Sequence, residues 1–158
     1  MKRQIKSAVF LGLLCIVTLF SSCLKKDLPA YPLWDGTNID NVYLEYRYNG
    51  ALNYNGSPIV EYKRLTVAKT VVDATSTINL VVTVPDANGS FTAAERDKVT
   101  QNGLIMYFDV STAASVAPVS GSPKLGELTN LAVPQKYEVT AANGTKKTWT
   151  ITVTSFIK

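Results

Sequence analysis

The 158-residue chain has no histidine and only two cysteines, Cys15 and Cys23. The missing imidazole excludes histidine-based triads, histidine-ligated zinc and imidazole general bases. No glycine-rich loop follows a strand and opens a helix, so a phosphate-cradling nucleotide site of that type is excluded too. No apolar run reaches the ~20 residues a membrane-spanning helix needs. The longest, from Ala8 to Phe20, is broken by Gly12 and Thr18.

That run is nevertheless the first positive signal. Lys2, Arg3 and Lys6 precede it, and the small residues Ser21 and Ser22 follow it. A charged, an apolar and a small-residue region in this order make a secretory leader. Phe20-Ser21-Ser22-Cys23 resembles a bacterial lipobox, with Phe20 where leucine is usual. Residues 1–22 are therefore expected to be a lipoprotein signal peptide, and Cys23 the lipid-carrying first residue of the mature chain. Cys15 lies behind bulky Leu13 and Leu14 and belongs to the apolar run. Once Cys23 is acylated no thiol remains for a disulfide or a thiolate metal site. Leu24 supplies no aspartate-type retention signal, and Lys25-Lys26-Asp27 is a short charged segment of the kind met at exported surface proteins. The expected location is the outer membrane, lipid-anchored and on the cell surface, with a periplasm-facing placement as the alternative.

The formal charge of +4 reflects the leader. Three of the 16 basic residues leave with it, so 13 face 12 acidic ones and the mature chain carries +1. A nucleic-acid binder would need a concentrated basic stripe, so no nucleic-acid partner is expected.

Residues 23–40 read as the lipidated cysteine and a tether, with Pro29, Pro32, Gly36 and Asn38 and no sustained period. From residue 41 to 158 the period is two. Val42, Leu44, Tyr46 and Tyr48 alternate with Tyr43, Glu45 and Arg47; Ile78, Leu80, Val82 and Val84 alternate with Asn79, Val81 and Thr83; Tyr137 and Val139, then Trp149, Ile151 and Val153, alternate with lysine, glutamate and threonine. Such runs are half-buried strands, and the abundant threonine, valine and tyrosine suit them. Val60 and Tyr62 lie on one parity and Leu65, Val67 and Val71 on the other; a bulge near Lys63-Arg64 would reconcile them, with Tyr62 in the core. Leu104–Val110, apolar on both faces except Asp109, reads as a central strand. Thr92-Ala93-Ala94-Glu95 fits a capping box for a short helix over residues 93–101. The expected fold is all-β, a single antiparallel β-sandwich with one short helix.

The C-terminal half carries a resemblance. Phe108-Asp109-Val110-Ser111 and Ala114–Pro118 lead to Tyr137-Glu138-Val139-Thr140-Ala141-Ala142-Asn143-Gly144-Thr145-Lys146-Lys147-Thr148-Trp149-Thr150-Ile151-Thr152-Val153. This hairpin is similar to the one that ends cadherin-like or immunoglobulin-like sandwich domains of Bacteroidetes cell-envelope lipoproteins of uncharacterised function. Leu28 to Tyr48 and Phe91-Thr92 with Glu95-Arg96 also resemble that group. Its members often accompany glycan-uptake systems of the outer membrane. The resemblance thus implies a non-enzymatic accessory binding module for glycan or nutrient capture, without catalytic residues or cofactor. The alternative is a structural or protein–protein module docking on an envelope complex.

Among the residues themselves, the aromatics off the core pattern are the candidates. Tyr31 and Trp34 lie in the tether, Tyr43 on the polar face of its strand and Tyr54 in an Asn/Gly loop. Tyr31, Trp34 and Tyr54 are the candidate ligand-binding residues. Their rings could stack on the apolar C–H faces of sugars, or Tyr31 and Trp34 could pack the tether on the sandwich. Composition leaves a two-carboxylate glycosidase open, but Glu45, Glu61, Glu95, Glu127 and Glu138 fall at strand-exterior, helix-start or turn positions. Asp86-Ala87-Asn88-Gly89 lacks the length and terminal glutamate of a calcium loop and reads as a turn. No metal site is assigned.

At the C-terminal hairpin two rules conflict. Asn143-Gly144 favours a two-residue turn, which would turn Tyr137 and Val139 away from the Trp149 face. Losing two such side chains from the core costs about 3–6 kcal/mol, more than local turn preference supplies. An odd loop, Ala142-Asn143-Gly144 with Gly144 left-handed, is expected, with Tyr137 opposite Trp149.

The anchor is tested directly. Cys23→Ala should abolish fatty-acid incorporation and detergent partitioning, read by metabolic labelling and phase separation; an unlabelled wild type with normal retention of the variant would contradict the lipobox.

Overall fold

The computed structural model describes residues 32–158; Cys23, Tyr31 and the leader lie outside them. The described chain runs β1 (Ile39–Tyr54), β2 (Ser57–Arg64), β3 (Thr66–Val72), a 3₁₀ turn (Asp73–Thr75), β4 (Thr77–Thr83), α1 (Ala93–Lys98), β5 (Asn102–Val110), β6 (Ser115–Val119), β7 (Leu128–Asn130), β8 (Gln135–Thr140) and β9 (Lys146–Ile157). The strands make two sheets, β2-β1-β5-β7 and β3-β4-β9-β8-β6. Their inner faces close one core, in which Leu44, Leu80, Met106, Tyr137, Trp149 and Ile151 are almost fully buried. The all-β sandwich is as the alternation predicts. One ladder, β4–β9, is parallel; period two reports which face a residue takes, not the direction of its neighbour.

The parity change between β2 and β3 is a sheet crossing rather than a bulge. Leu65 still donates its amide to the Leu44 carbonyl, at 2.9 Å, and is buried. After it the chain leaves the four-stranded sheet and β3 pairs with β4 on the edge of the other. Inner positions therefore switch parity because the inner side is approached from the opposite sheet. Tyr62 consequently faces outward and is 61% exposed, correcting its assignment to the core.

The helix is shorter than its sequence signal. Thr92 Oγ1 accepts the Glu95 amide at 3.2 Å, but Val99 is extended and fully buried, so seating its side chain ends the helix at Lys98. Glu95 does not close the capping box; its carboxylate takes Lys98 Nζ at 2.6 Å and the Tyr46 hydroxyl at 3.2 Å. β5 is interior to its sheet, between β1 and β7, as expected. The Asn88-Gly89 segment is a tight turn, with Asn88 and Phe91 exchanging both backbone bonds.

The last hairpin obeys the core. Tyr137 lies opposite Trp149 in the β8–β9 register. Ala141 donates to the Thr145 carbonyl at 2.8 Å, enclosing the three-residue loop Ala142-Asn143-Gly144, and Gly144 has φ +87°. The Tyr137 ring meets Phe108 of the facing sheet edge-on, centroids 5.0 Å apart. The segment before β1 is also held. Asn143 donates to the Trp34 carbonyl at 3.1 Å and Trp149 Nε1 to the Thr37 carbonyl at 2.8 Å. The sandwich thus takes in part of the stretch read as tether, and Ile39 is already core.

Trp149→Ala should therefore cost about 3–5 kcal/mol, read from urea denaturation. Tyr137 predicts a pH effect. Burial pushes its hydroxyl up to about 12, whereas an unfolded tyrosine ionises near ~10. Between these values the unfolded chain sheds a proton that the folded chain keeps. Stability from this group is thus complete below about pH 10 and is lost as pH rises through the folded value. Tyr137→Phe should show a smaller fall in urea midpoint between pH 9 and pH 12 than wild type, with a cost of about 1 kcal/mol at neutral pH from the lost bond to Pro123.

Candidate functional site

The richest chemistry among the described residues lies on the outer face of the four-stranded sheet. Alternation puts it there: burying Val42 and Leu44 turns Asn41, Tyr43, Glu45 and Arg47 outward, and burying Leu104 and Met106 turns Tyr107 and Asp109 the same way. Register then places Tyr43 beside Tyr107, and Glu45 and Arg47 beside Arg64 and Tyr62 of β2.

These side chains form one diagonal network. Tyr43 donates its hydroxyl to Asp109 Oδ2 at 2.6 Å, and Asn41 Nδ2 donates to the same oxygen at 2.9 Å. The two bonds hold the Asp109 carboxyl below its usual range; the bond to Asp109 in turn raises the Tyr43 hydroxyl. The Arg64 guanidinium lies 5.2 Å from the Tyr43 ring centroid and bonds Glu45 Oε1 at 2.9 Å, which raises its own pKa. Arg47 donates to the Tyr107 hydroxyl and stands 3.8 Å from Glu45 Oε2. A recess of about 430 Å³ at the β2 side is lined by Glu45, Arg47, Val60, Glu61 and Tyr62.

An ionised carboxylate with fixed donors, flanking rings and two guanidiniums can hydrogen-bond hydroxyls and stack on apolar ring faces. Among the described residues, no three carboxylates or cysteines stand together as a metal site would need.

The aromatics singled out in the sequence fall elsewhere. Trp34 is 64% exposed beside a second recess with Asp35, Asp40 and Ser111. Tyr54 is 71% exposed at the tip of the β1–β2 hairpin, closed by Asn55-Gly56, both at positive φ. The whole of β1, up to roughly 50 Å if fully extended at ~3.3 Å per residue, runs between the two, and the recess beside Trp34 does not include Tyr54, so the fold does not bring Trp34 and Tyr54 to one site. Sequence reasoning missed Tyr62, Arg64 and Tyr107 as companions of Tyr43. The available signal was the polar parity of Tyr43, Glu45 and Arg47, together with Asp109 as the lone charge in an apolar strand.

Comparison with known proteins agrees with this architecture. No curated protein matches the chain. The crystal structure of a candidate secreted protein from Bacteroides fragilis is similar, with 37% identity and a TM-score of 0.72, over 80% of this chain and 100% of that one. The family profile described as DUF5018-related matches residues 39–152, which span β1 to the middle of β9. The chain belongs to the DUF5018-related family.

Proposed function

We propose that this protein is a non-enzymatic, glycan-binding module of the cell envelope, and that the outer face of its four-stranded sheet is the binding surface. The observation that carries this reading is the Asn41–Asp109–Tyr43 cluster. Its carboxylate receives both bonds on Oδ2, which leaves acceptor capacity for the paired hydroxyls of a sugar. Tyr43, Tyr107 and the exposed Tyr62 supply ring surface, and the guanidiniums of Arg47 and Arg64 supply further donors. The leader and the Ser-Ser-Cys site support lipid anchoring through Cys23 at the outer membrane, facing the cell surface. The similarity to a candidate secreted protein supports a location outside the cytoplasm. Glycan or nutrient capture beside an uptake complex is the role this combination fits.

A second reading, docking on an envelope protein, is favoured by one feature: the β1–β2 hairpin exposes Leu52, Tyr54, Ile59 and Val60. One experiment separates the two. The mature chain is screened on a glycan array, with Tyr62→Ala and Asp109→Asn alongside. Binding that each variant weakens at least tenfold, about 1.4 kcal/mol, with an unchanged melting temperature, is the expected outcome. Silence on the array, with an envelope partner captured only when Leu52 and Tyr54 are intact, would replace glycan binding by docking.

A further inference from the structure

We infer that the sugar chain this face takes is acidic, with its carboxylate or sulfate held by Arg47 and Arg64; the inference rests on the glycan reading above. Glu45 projects from the middle of β1 toward solvent, yet its side chain is only 9% exposed, while those of Arg47 and Arg64 are 44% and 57% exposed. Each carboxylate oxygen faces a different guanidinium, Oε1 toward Arg64 and Oε2 toward Arg47. One negative charge therefore lies beneath two positive ones, and the surface offered to a ligand carries a residual positive charge.

The donors point the same way. A guanidinium has five N–H groups in a rigid fork that matches a carboxylate or sulfate. Arg64 gives a bond to Glu45 and Arg47 gives one to Tyr107, so each fork keeps donors for a second anion. Two other carboxylates are near enough to matter. Glu61 is engaged from the opposite side of β2 by Tyr48 at 3.3 Å and by Ser90. Asp109 is bonded by Asn41 and Tyr43, and the Tyr43 ring lies between it and the Arg64 guanidinium. Neither forms an ion pair with Arg47 or Arg64, whose carboxylate partner is Glu45. Tyr62, beside Arg47 in the register, offers its ring to the sugar that bears the anion. In this arrangement Glu45 is a positioning residue: it fixes both guanidiniums and is itself covered by them.

The test measures binding of the full mature chain to a panel of neutral, uronate-containing and sulfated polysaccharides at 50 and 500 mM NaCl. The expected result is at least tenfold tighter binding to one acidic class than to neutral chains, weakened by salt; the uronate and sulfate arms identify which anion. Arg47→Gln and Arg64→Gln should each erase the preference, and Arg64→Lys should restore only part of it, because a point charge lacks the fork. Glu45→Gln leaves one acceptor oxygen for two guanidiniums and should weaken acidic binding with an unchanged melting temperature, as a positioning role requires; a merely structural ion pair would lower the melting temperature and leave the acidic preference as it was. Saccharide binding that falls with Tyr62→Ala but ignores salt and both arginine variants overturns the acidic-ligand inference and leaves the glycan reading intact. Failure to bind any saccharide class overturns both.

Discussion

The structure hangs on Trp149. It sits in β9, the middle strand of the five-stranded sheet, and is almost fully buried. Its indole N–H holds the carbonyl of Thr37, two residues before β1 begins, and so fixes where the longest strand enters the fold. Across the ladder it faces Tyr137, whose ring meets Phe108 of the opposite sheet. The consequence reaches the surface. A strand that turns Phe108 inward must turn Tyr107 and Asp109 outward, and β1, whose register shifts between the buried Ile39 and Asn41, presents Asn41, Tyr43 and Glu45 beside them. The outer network is thus positioned by the core beneath it, with no loop needed to place any of its β1 or β5 members.

The same dependence explains what was legible in the sequence. A hydrophobic pattern states which side of a strand is wet, and that is enough to place Tyr43, Glu45 and Arg47 on one outer face and to choose the odd hairpin loop at Asn143. The loop choice was a comparison of magnitudes: apolar burial outweighs turn preference, so the Asn-Gly signal yields and Gly144 takes the left-handed position. At Asn55-Gly56 no such conflict exists, and the two-residue turn forms.

What stayed hidden depends on pairs of distant segments. The parity change after Tyr62 is equally consistent with a bulge and with a change of sheet; only the pairing of β3 with β4 decides. The direction of β4 against β9 leaves no mark in either strand's alternation. Nor does any single strand reveal that Tyr62, Arg64 and Tyr107 meet the outward residues of β1, because these contacts are set by register between strands. Trp34 and Tyr54 stood out because they broke a local pattern. The residues that gather at the site obey theirs.

Glu45 shows why the distinction matters for function. An ion pair with one buried partner gains little over a well-packed apolar residue, because desolvating the charge offsets most of the attraction. Stability alone therefore gives weak reason for a covered carboxylate in the middle of a sheet face. Ile105, its neighbour in the register, is buried on that same outer face without any charge, so an apolar side chain fits these surroundings. What the carboxylate supplies is orientation. Two long cationic side chains that would otherwise sample many rotamers are held to one carboxylate. Ordering those chains before a ligand arrives removes part of the entropy that binding would have to spend, and the fold meets the cost once, when the sheet forms.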